Sequence, residues 1–212
     1  MTFFSVVYDI TLITVFGFSL FLRTQHQSIQ YSWLCLYLLV TFCVELSSRI
    51  VNLYFNHLRI DWLYNVYILF CILFFGIYYS GLFIKVYRYI TLIVTLCSLI
   101  IFFLISDYSF AIYDPNLGLL ISFFYVILSL IWYFHSLNYG FDTKITENPY
   151  FWISTALVIW GSFYIFRNYP AQYLYEKDPS FHTVLKNINY IVATIMYGLM
   201  GIGLLKFKKQ KM

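Results

Sequence analysis

Four polar residues of the second apolar stretch, Glu45, Ser48, Arg49 and Asn52, stand at i, i+3, i+4 and i+7. That spacing puts them on one face of a helix. A Glu one turn before an Arg favours an ion pair, and the flanking hydroxyl and carboxamide add hydrogen-bonding groups. Asp9 lies about two turns into the first stretch, Asn65 one turn into the third, and Asn187 and Asn189 at the start of the seventh; Ser122, Tyr125 and Ser129 stripe the fifth. A carboxylate inside a membrane span costs ~2.5–3.5 kcal/mol on insertion scales and is normally turned inward and paired. Two readings follow. In one, the set lines a water-accessible pocket with Glu45 and Arg49 at its floor. In the other it is interhelical glue, Glu45 being neutralised by Arg49 and hydrogen-bonded by Asn65 or a tyrosine hydroxyl. The residues expected to touch a ligand are Glu45, Arg49, Asn52, Asn65, Asp9, Tyr125, Asn189 and Tyr190.

Other chemistries lack their residues. Cys35, Cys43, Cys71 and Cys97 fall inside apolar stretches without a Cys-x-x-Cys pair, and read as small buried hydrophobes. His26, His57, His135 and His182 lie in loops or at span ends, no two at ligand spacing, so neither a metal nor a cofactor is expected. No Ser sits on a nucleophile elbow. No catalytic residue is expected, and the chain reads as a non-enzyme.

The elements that must position these residues follow from composition. Hydrophobic residues make up 62% of the 212 and charged residues 10%, against ~45–50% and ~25% in soluble proteins. Such a chain cannot coat itself for water, so the lipid bilayer is its solvent and a nucleic-acid partner is excluded. Seven continuous apolar stretches approach the ~20 residues that a helix needs to cross the bilayer: 3–22, 31–49, 62–84, 89–105, 117–134, 150–166 and 188–205. They predict an all-α bundle of seven transmembrane helices in a single domain over 1–212, six being the fallback because the fourth and sixth are short. The first stretch is not expected to be a cleaved signal, since no Lys or Arg precedes it.

Orientation follows from the basic residues. An outside amino terminus gives the cytoplasmic side Arg23, Lys85, Arg88, Lys144 and the tail Lys206, Lys208, Lys209 and Lys211. The opposite side then holds Arg49, Arg59, Arg167, Lys177 and Lys186. This bias puts the carboxyl terminus in the cytoplasm, and the tail reads as a topology anchor rather than a partner site. Aromatic residues are 24% of the chain. Trp33, Trp62 and Trp152 fall at span ends, where an amphipathic ring suits the headgroup zone. Tyr164, Tyr169, Tyr173 and Tyr175 crowd around the segment Arg167 to Leu185, which reads as the longest loop and a cover for the pocket. Gly76, Gly81, Gly198, Gly201 and Gly203 are expected to allow close helix approach.

Seven helices alone carry no kinship. The middle of the last span is Ile195-Met196-Tyr197 where a retinal protein needs its Schiff-base Lys, and Lys85-Val86-Tyr87-Arg88 lacks the acidic-Arg-aromatic pattern of eukaryotic receptors. The runs Asn148-Pro149-Tyr150-Phe151-Trp152-Ile153 and Asn187-Ile188-Asn189-Tyr190-Ile191 resemble uncharacterised small seven-helix inner-membrane proteins of Bacteroidetes-type bacteria, often encoded beside two-component sensors. That resemblance implies a sensory or signalling accessory in an inner (plasma) membrane. Two functions are therefore expected to compete. A sensor would hold a small ligand in a pocket open to the outside, keep the inner half sealed, and pass a helix shift to a cytoplasmic signalling partner or within a homo-oligomer. A small transporter or channel component would continue the cavity past Tyr125 and Ser129.

Overall fold

A computed structural model describes residues 2–23, 29–54, 61–106, 114–140 and 144–209; within these, the side chains at 29, 52, 61, 169–177, 179, 208 and 209 lie outside the described set. The described residues form seven α-helices and one 3-10 turn: α1 (Phe3–Arg23), α2 (Ile29–Tyr54), α3 (Asp61–Ser80), α4 (Lys85–Ile105), α5 (Pro115–Tyr139), the turn Ile145–Glu147, α6 (Pro149–Lys177) and α7 (Pro179–Lys209). All seven are long and apolar enough to cross a membrane. The chain is a multi-pass membrane protein of seven helices.

The expected spans differ from the helices mainly at their ends. The third stops at Ser80, where a turn through Gly81 replaces the expected continuation to Ile84. The largest correction concerns the segment Arg167 to Leu185. It is helical apart from Asp178, so no long loop covers the bundle there. At ~1.5 Å per residue the 29 residues of α6 extend about 43 Å, beyond the ~30 Å of a hydrocarbon core. Hydropathy registers only the apolar part, which is why this stretch reads as a loop in sequence.

Three helices share one starting device. Asp114 accepts from the Asn116 amide at 2.8 Å, Asn148 from the Tyr150 amide at 2.9 Å and Asp178 from the Phe181 amide at 3.0 Å. In each case the next residue is a proline at the first helical position. The side chain satisfies an orphan amide, and the proline presets φ while its missing N–H costs nothing there. The Ser180 hydroxyl also donates to the Asp178 carboxylate, at 2.6 Å. These bonds hold the Asp178 carboxyl below its ordinary titration range. A folded-state value below that of the unfolded turn means the unfolded turn takes up the proton first. The cap's contribution is therefore present at neutral pH and is lost as pH falls through the carboxylate range. Amide exchange at Phe181 should quicken as the pH is lowered toward 3, once the intrinsic exchange rate is divided out, and Asp178→Asn should flatten that dependence.

Helices α1, α3, α5 and α7 start at one face of the bundle, here termed the amino-terminal face, and α2, α4 and α6 start at the other. α1, α2, α3, α5, α6 and α7 each pack on the next in that order and α7 returns to α1, so six helices close a ring. α4 lies outside it, packed on α3 and α5. Only Thr91, Thr95, Ser98 and Phe102 of α4 are buried, at the spacing of one helix face. Its threonines donate back to the carbonyls one turn earlier, Thr91 to Tyr87 at 2.9 Å and Thr95 to Thr91 at 2.8 Å. Hydroxyls satisfied within their own helix can face a neighbour in lipid without needing a partner there.

In the half of the ring away from the amino-terminal face, aromatic side chains pack across the centre, and a separate cleft of about 350 Å³ lies between α1 and α2 at Leu20, Arg23, Trp33 and Leu39. Phe75 packs on Tyr37 at 4.9 Å between ring centroids and on Tyr125 at 5.1 Å. Phe74 and Tyr79 lie against it, 5.1 and 6.4 Å between ring centroids, and Leu128, Leu38 and Met200 are buried in the same core. The Tyr79 hydroxyl meets Ser154 Oγ at 2.7 Å, so its polar tip has a partner in the core. Not all expected small-residue contacts are close ones. A Cβ on Gly76 would meet Thr95 at 2.5 Å and one on Gly203 the Pro149 carbonyl at 3.2 Å, whereas nothing lies within 4 Å of Gly198 and Gly81 has only ordinary contacts.

Candidate ligand pocket

On the axis of the six-helix ring, in its amino-terminal half, lies a cavity of about 560 Å³. All six ring helices line it and α4 does not. Its size falls within the ~300–1,000 Å³ typical of small-molecule sites. Three levels can be distinguished by position along the helices. At the rim stand Arg49 of α2, Tyr64 of α3, Arg167 of α6 and Lys186 of α7. At mid-depth are Glu45, Tyr8, Tyr164 and Tyr190. The floor is made by Tyr37, Cys71, Tyr125, Trp160, Met196 and Tyr197.

The expected set is partly assembled here. Glu45, Arg49, Tyr125, Asn189 and Tyr190 line the cavity. Asn65 is buried but not in its lining, and Asp9 stands behind Arg49. The side chain of Asn52 lies outside the described residues. Glu45 and Arg49 are not the floor; Tyr37 extends the wall of α2 two turns further.

The expected pairing within α2 is also corrected. Arg49 bonds Asp9 of α1 at 2.9 Å through Nη2, and this is the single ion pair among the described residues. Glu45 has no cation within ion-pair distance among those residues; its polar neighbours are Tyr8 of α1 and, further off, Arg49. An i,i+4 pair on one helix gains only ~0.2–0.5 kcal/mol, so partners offered by a second helix readily displace it. The Arg49 guanidinium also faces the Tyr190 ring, with Cζ 6.0 Å from its centroid. Ser48, on the same helix face, accepts from the Tyr64 hydroxyl at 2.8 Å. The polar face of α2 thus serves both earlier readings: it ties α1, α2 and α3 together and leaves Glu45 and Arg49 bordering the open space.

Tyr125 and Tyr190 were expected at the site, but six further tyrosines were not. Tyr8, Tyr37, Tyr64, Tyr67, Tyr125, Tyr164, Tyr190 and Tyr197 all border the cavity. The signal was present in the sequence. Tyr64, Tyr67, Ile68 and Cys71 stand at i, i+3, i+4 and i+7, and Tyr190, Ala193 and Tyr197 at i, i+3 and i+7, each on one helix face. Several hydroxyls already bond one another or a neighbour: Tyr67 and Thr41 approach to 2.8 Å, and Tyr67 donates to Tyr37 at 3.4 Å.

Two cations at the rim have no acidic partner among the described residues. Arg167 stacks over the Tyr164 ring, with Cζ 4.9 Å from the centroid, and its buried Nε has no hydrogen-bond acceptor. Lys186 borders the mouth from the neighbouring helix α7. Arg49 Nε and Asn189 Oδ1 are likewise buried without a partner.

The cavity ends at its floor. Ser129, one turn beyond Tyr125, is buried and is not part of the cavity's lining. Phe75, one turn beyond Cys71, is fully buried beneath it. Among the described residues no group of three His, Cys, Asp or Glu side chains could hold a metal ion.

No family model, curated protein or solved structure matches the chain. The pocket's chemistry therefore has to be read from its own residues.

Proposed function

We propose that this chain is a non-enzymatic plasma-membrane protein that binds a small solute in the central cavity and serves as a sensory or signalling accessory. The carrying observation is the shape of the ring interior: open at the amino-terminal face and closed below by packed aromatic side chains around Phe75. A closed inner half favours binding over passage. The positive-inside bias supports an amino-terminal face turned outward, with the Lys-rich tail in the cytoplasm. α7 offers the route for a signal. It lines the cavity from Lys186 to Tyr197 and continues as one helix to Lys209, so a ligand-induced shift at its first turns would move its cytoplasmic end.

Cys71 provides the test, because it is buried in the bundle and borders only the cavity floor, so that a reagent reaches it through the cavity, while Cys43 and Cys97 are exposed on the outer surface. In the Cys35→Ala, Cys43→Ala, Cys97→Ala variant, Cys71 should react with methyl methanethiosulfonate in folded protein. In intact spheroplasts a membrane-impermeant sulfonate reagent added outside should reach it. An unreactive Cys71 would refute the open cavity, labelling only from the cytoplasmic side would reverse the orientation, and solute flux through proteoliposomes would replace sensing by transport.

A further inference from the structure

From the charge layout of the cavity we infer its ligand class, a small organic anion with a planar aromatic body. The inference rests on the proposal that the cavity is a binding site. Three cations and one carboxylate border the space, Arg49, Arg167 and Lys186 against Glu45. Arg49 is neutralised by Asp9 at 2.9 Å. Arg167 and Lys186 have no acidic partner among the described residues, and they stand at the mouth in low-dielectric surroundings where a charge acts strongly on a partner.

The guanidinium of Arg167 is already positioned, its Cζ 4.9 Å from the Tyr164 ring centroid and its Nε unsatisfied. A positioned guanidinium with a free donor suits a carboxylate, which can accept two parallel N–H bonds. Depth then sets the ligand's direction. Glu45, at mid-depth, would repel a second negative charge, so the anionic group belongs at the rim and not at the floor. What passes Glu45 should be neutral and can donate a hydrogen bond to it.

The floor selects an aromatic body. Trp160 stacks on Tyr164 at 5.1 Å with planes 25° apart, and Tyr125 lies 5.7 Å from Trp160. Together with Met196 these surfaces offer ring faces and a polarisable thioether. The ligand would therefore stand with its carboxylate between Arg167 and Lys186, an N–H or O–H donor at the level of Glu45, and its ring against Trp160.

A matched series tests this on the purified full-length protein: indole-3-acetate, its neutral analogue indole-3-acetamide, and the cation tryptamine. Binding is read as thermal stabilisation and as protection of Cys71 from methyl methanethiosulfonate. Indole-3-acetate should bind at least tenfold tighter than the amide, and tryptamine weakest. Arg167→Gln and Lys186→Gln should each weaken indole-3-acetate by roughly tenfold, the order expected of a lost charged hydrogen bond, while leaving the amide unchanged. The wild-type comparison holds whether or not either variant folds. Equal binding of acid and amide, or tighter binding of tryptamine, overturns the anion assignment and leaves the pocket standing. Octanoate binding tighter than indole-3-acetate overturns the aromatic body. If none of the probes binds although Cys71 is reactive, the ligand class falls alone; if Cys71 is also unreactive, the pocket falls with it.

Discussion

Arg49→Leu should lower the thermal midpoint of the purified protein by several degrees, and adding Asp9→Asn should recover a substantial part of the loss. The guanidinium holds Asp9 at 2.9 Å and borders the same space as Glu45. Removing it leaves two carboxylates near each other in the membrane-embedded part of the bundle. Breaking a fully buried pair costs ~3–5 kcal/mol because the surviving charge is stranded. Here the side chains of Arg49 and Asp9 are 28% and 23% exposed, so water screens part of the penalty and about 2 kcal/mol is the appropriate scale. For a chain of this size that corresponds to a shift of about 4–8 °C. Asp9→Asn alone should cost less, since Arg49 retains Glu45 as a neighbouring countercharge. The double variant removes both members of the bond, and its recovery separates a stranded charge from lost packing. Equal midpoints for Arg49→Leu and the double variant would show that the bond itself contributes little.

This pair also marks the boundary of what the sequence could disclose. That Arg49 needs a carboxylate partner follows from its place in a span. Which carboxylate it takes depends on how α1 and α2 lie side by side, and an i,i+4 rule sees only one helix. Asp9 was visible as a polar residue two turns into the first stretch, but no spacing connects it to a residue forty positions away. The cavity behaves the same way. Its contributors, such as Tyr8, Cys71, Trp160 and Tyr197, come from six helices, and only the closure of the ring brings them together.

The bundle itself was far more legible, because membrane solvation acts on composition. Seven apolar stretches had to be helices, since no other single-segment structure satisfies the backbone in lipid. The polar ends were lost for the same reason. The segment 169–177 carries Tyr, Pro, Gln, Glu and Lys, so hydropathy argued for a loop, while the chain continues α6 to Lys177. Better markers of the boundaries were the dipeptides Asp114-Pro115, Asn148-Pro149 and Asp178-Pro179, each a cap followed by a proline. They are local signals, and local signals survive translation into structure.

Gly161→Val should destabilise the bundle strongly. A Cβ at Gly161 would lie 2.8 Å from the Ser122 carbonyl oxygen and 3.1 Å from Val126 Cγ2. The first of these neighbours is backbone, so no rotamer change relieves the clash. α5 and α6 would have to separate, and α5 is the helix that carries Leu117, Phe124, Leu128 and Trp132 into the core. Overpacking of this kind costs ~1–3 kcal/mol, occasionally more, and the upper half of that range is expected. At Gly76 the obstacle is the Thr95 side chain, with Cγ2 and Oγ1 both at 2.5 Å. Thr95 Cβ itself lies at 3.0 Å, and turning χ1 would return a heavy atom to the same space and break the Oγ1 bond to the Thr91 carbonyl, so Gly76→Val should cost a comparable amount. Gly198→Ala is the control from the other extreme: nothing lies within 4 Å, and alanine exceeds glycine in helix propensity by ~1 kcal/mol, so the midpoint should hold or rise. Thermal unfolding of the three variants in one detergent gives the order directly. A midpoint for Gly161→Val equal to that of Gly198→Ala would mean that α5 and α6 do not approach as closely as described. Because Gly161 and Ser122 lie on the two helices that place Arg167 and Tyr125 at the cavity, the same separation should also open the gap between rim and floor. Cys71 in Gly161→Val should then react with methyl methanethiosulfonate faster than in the parent protein.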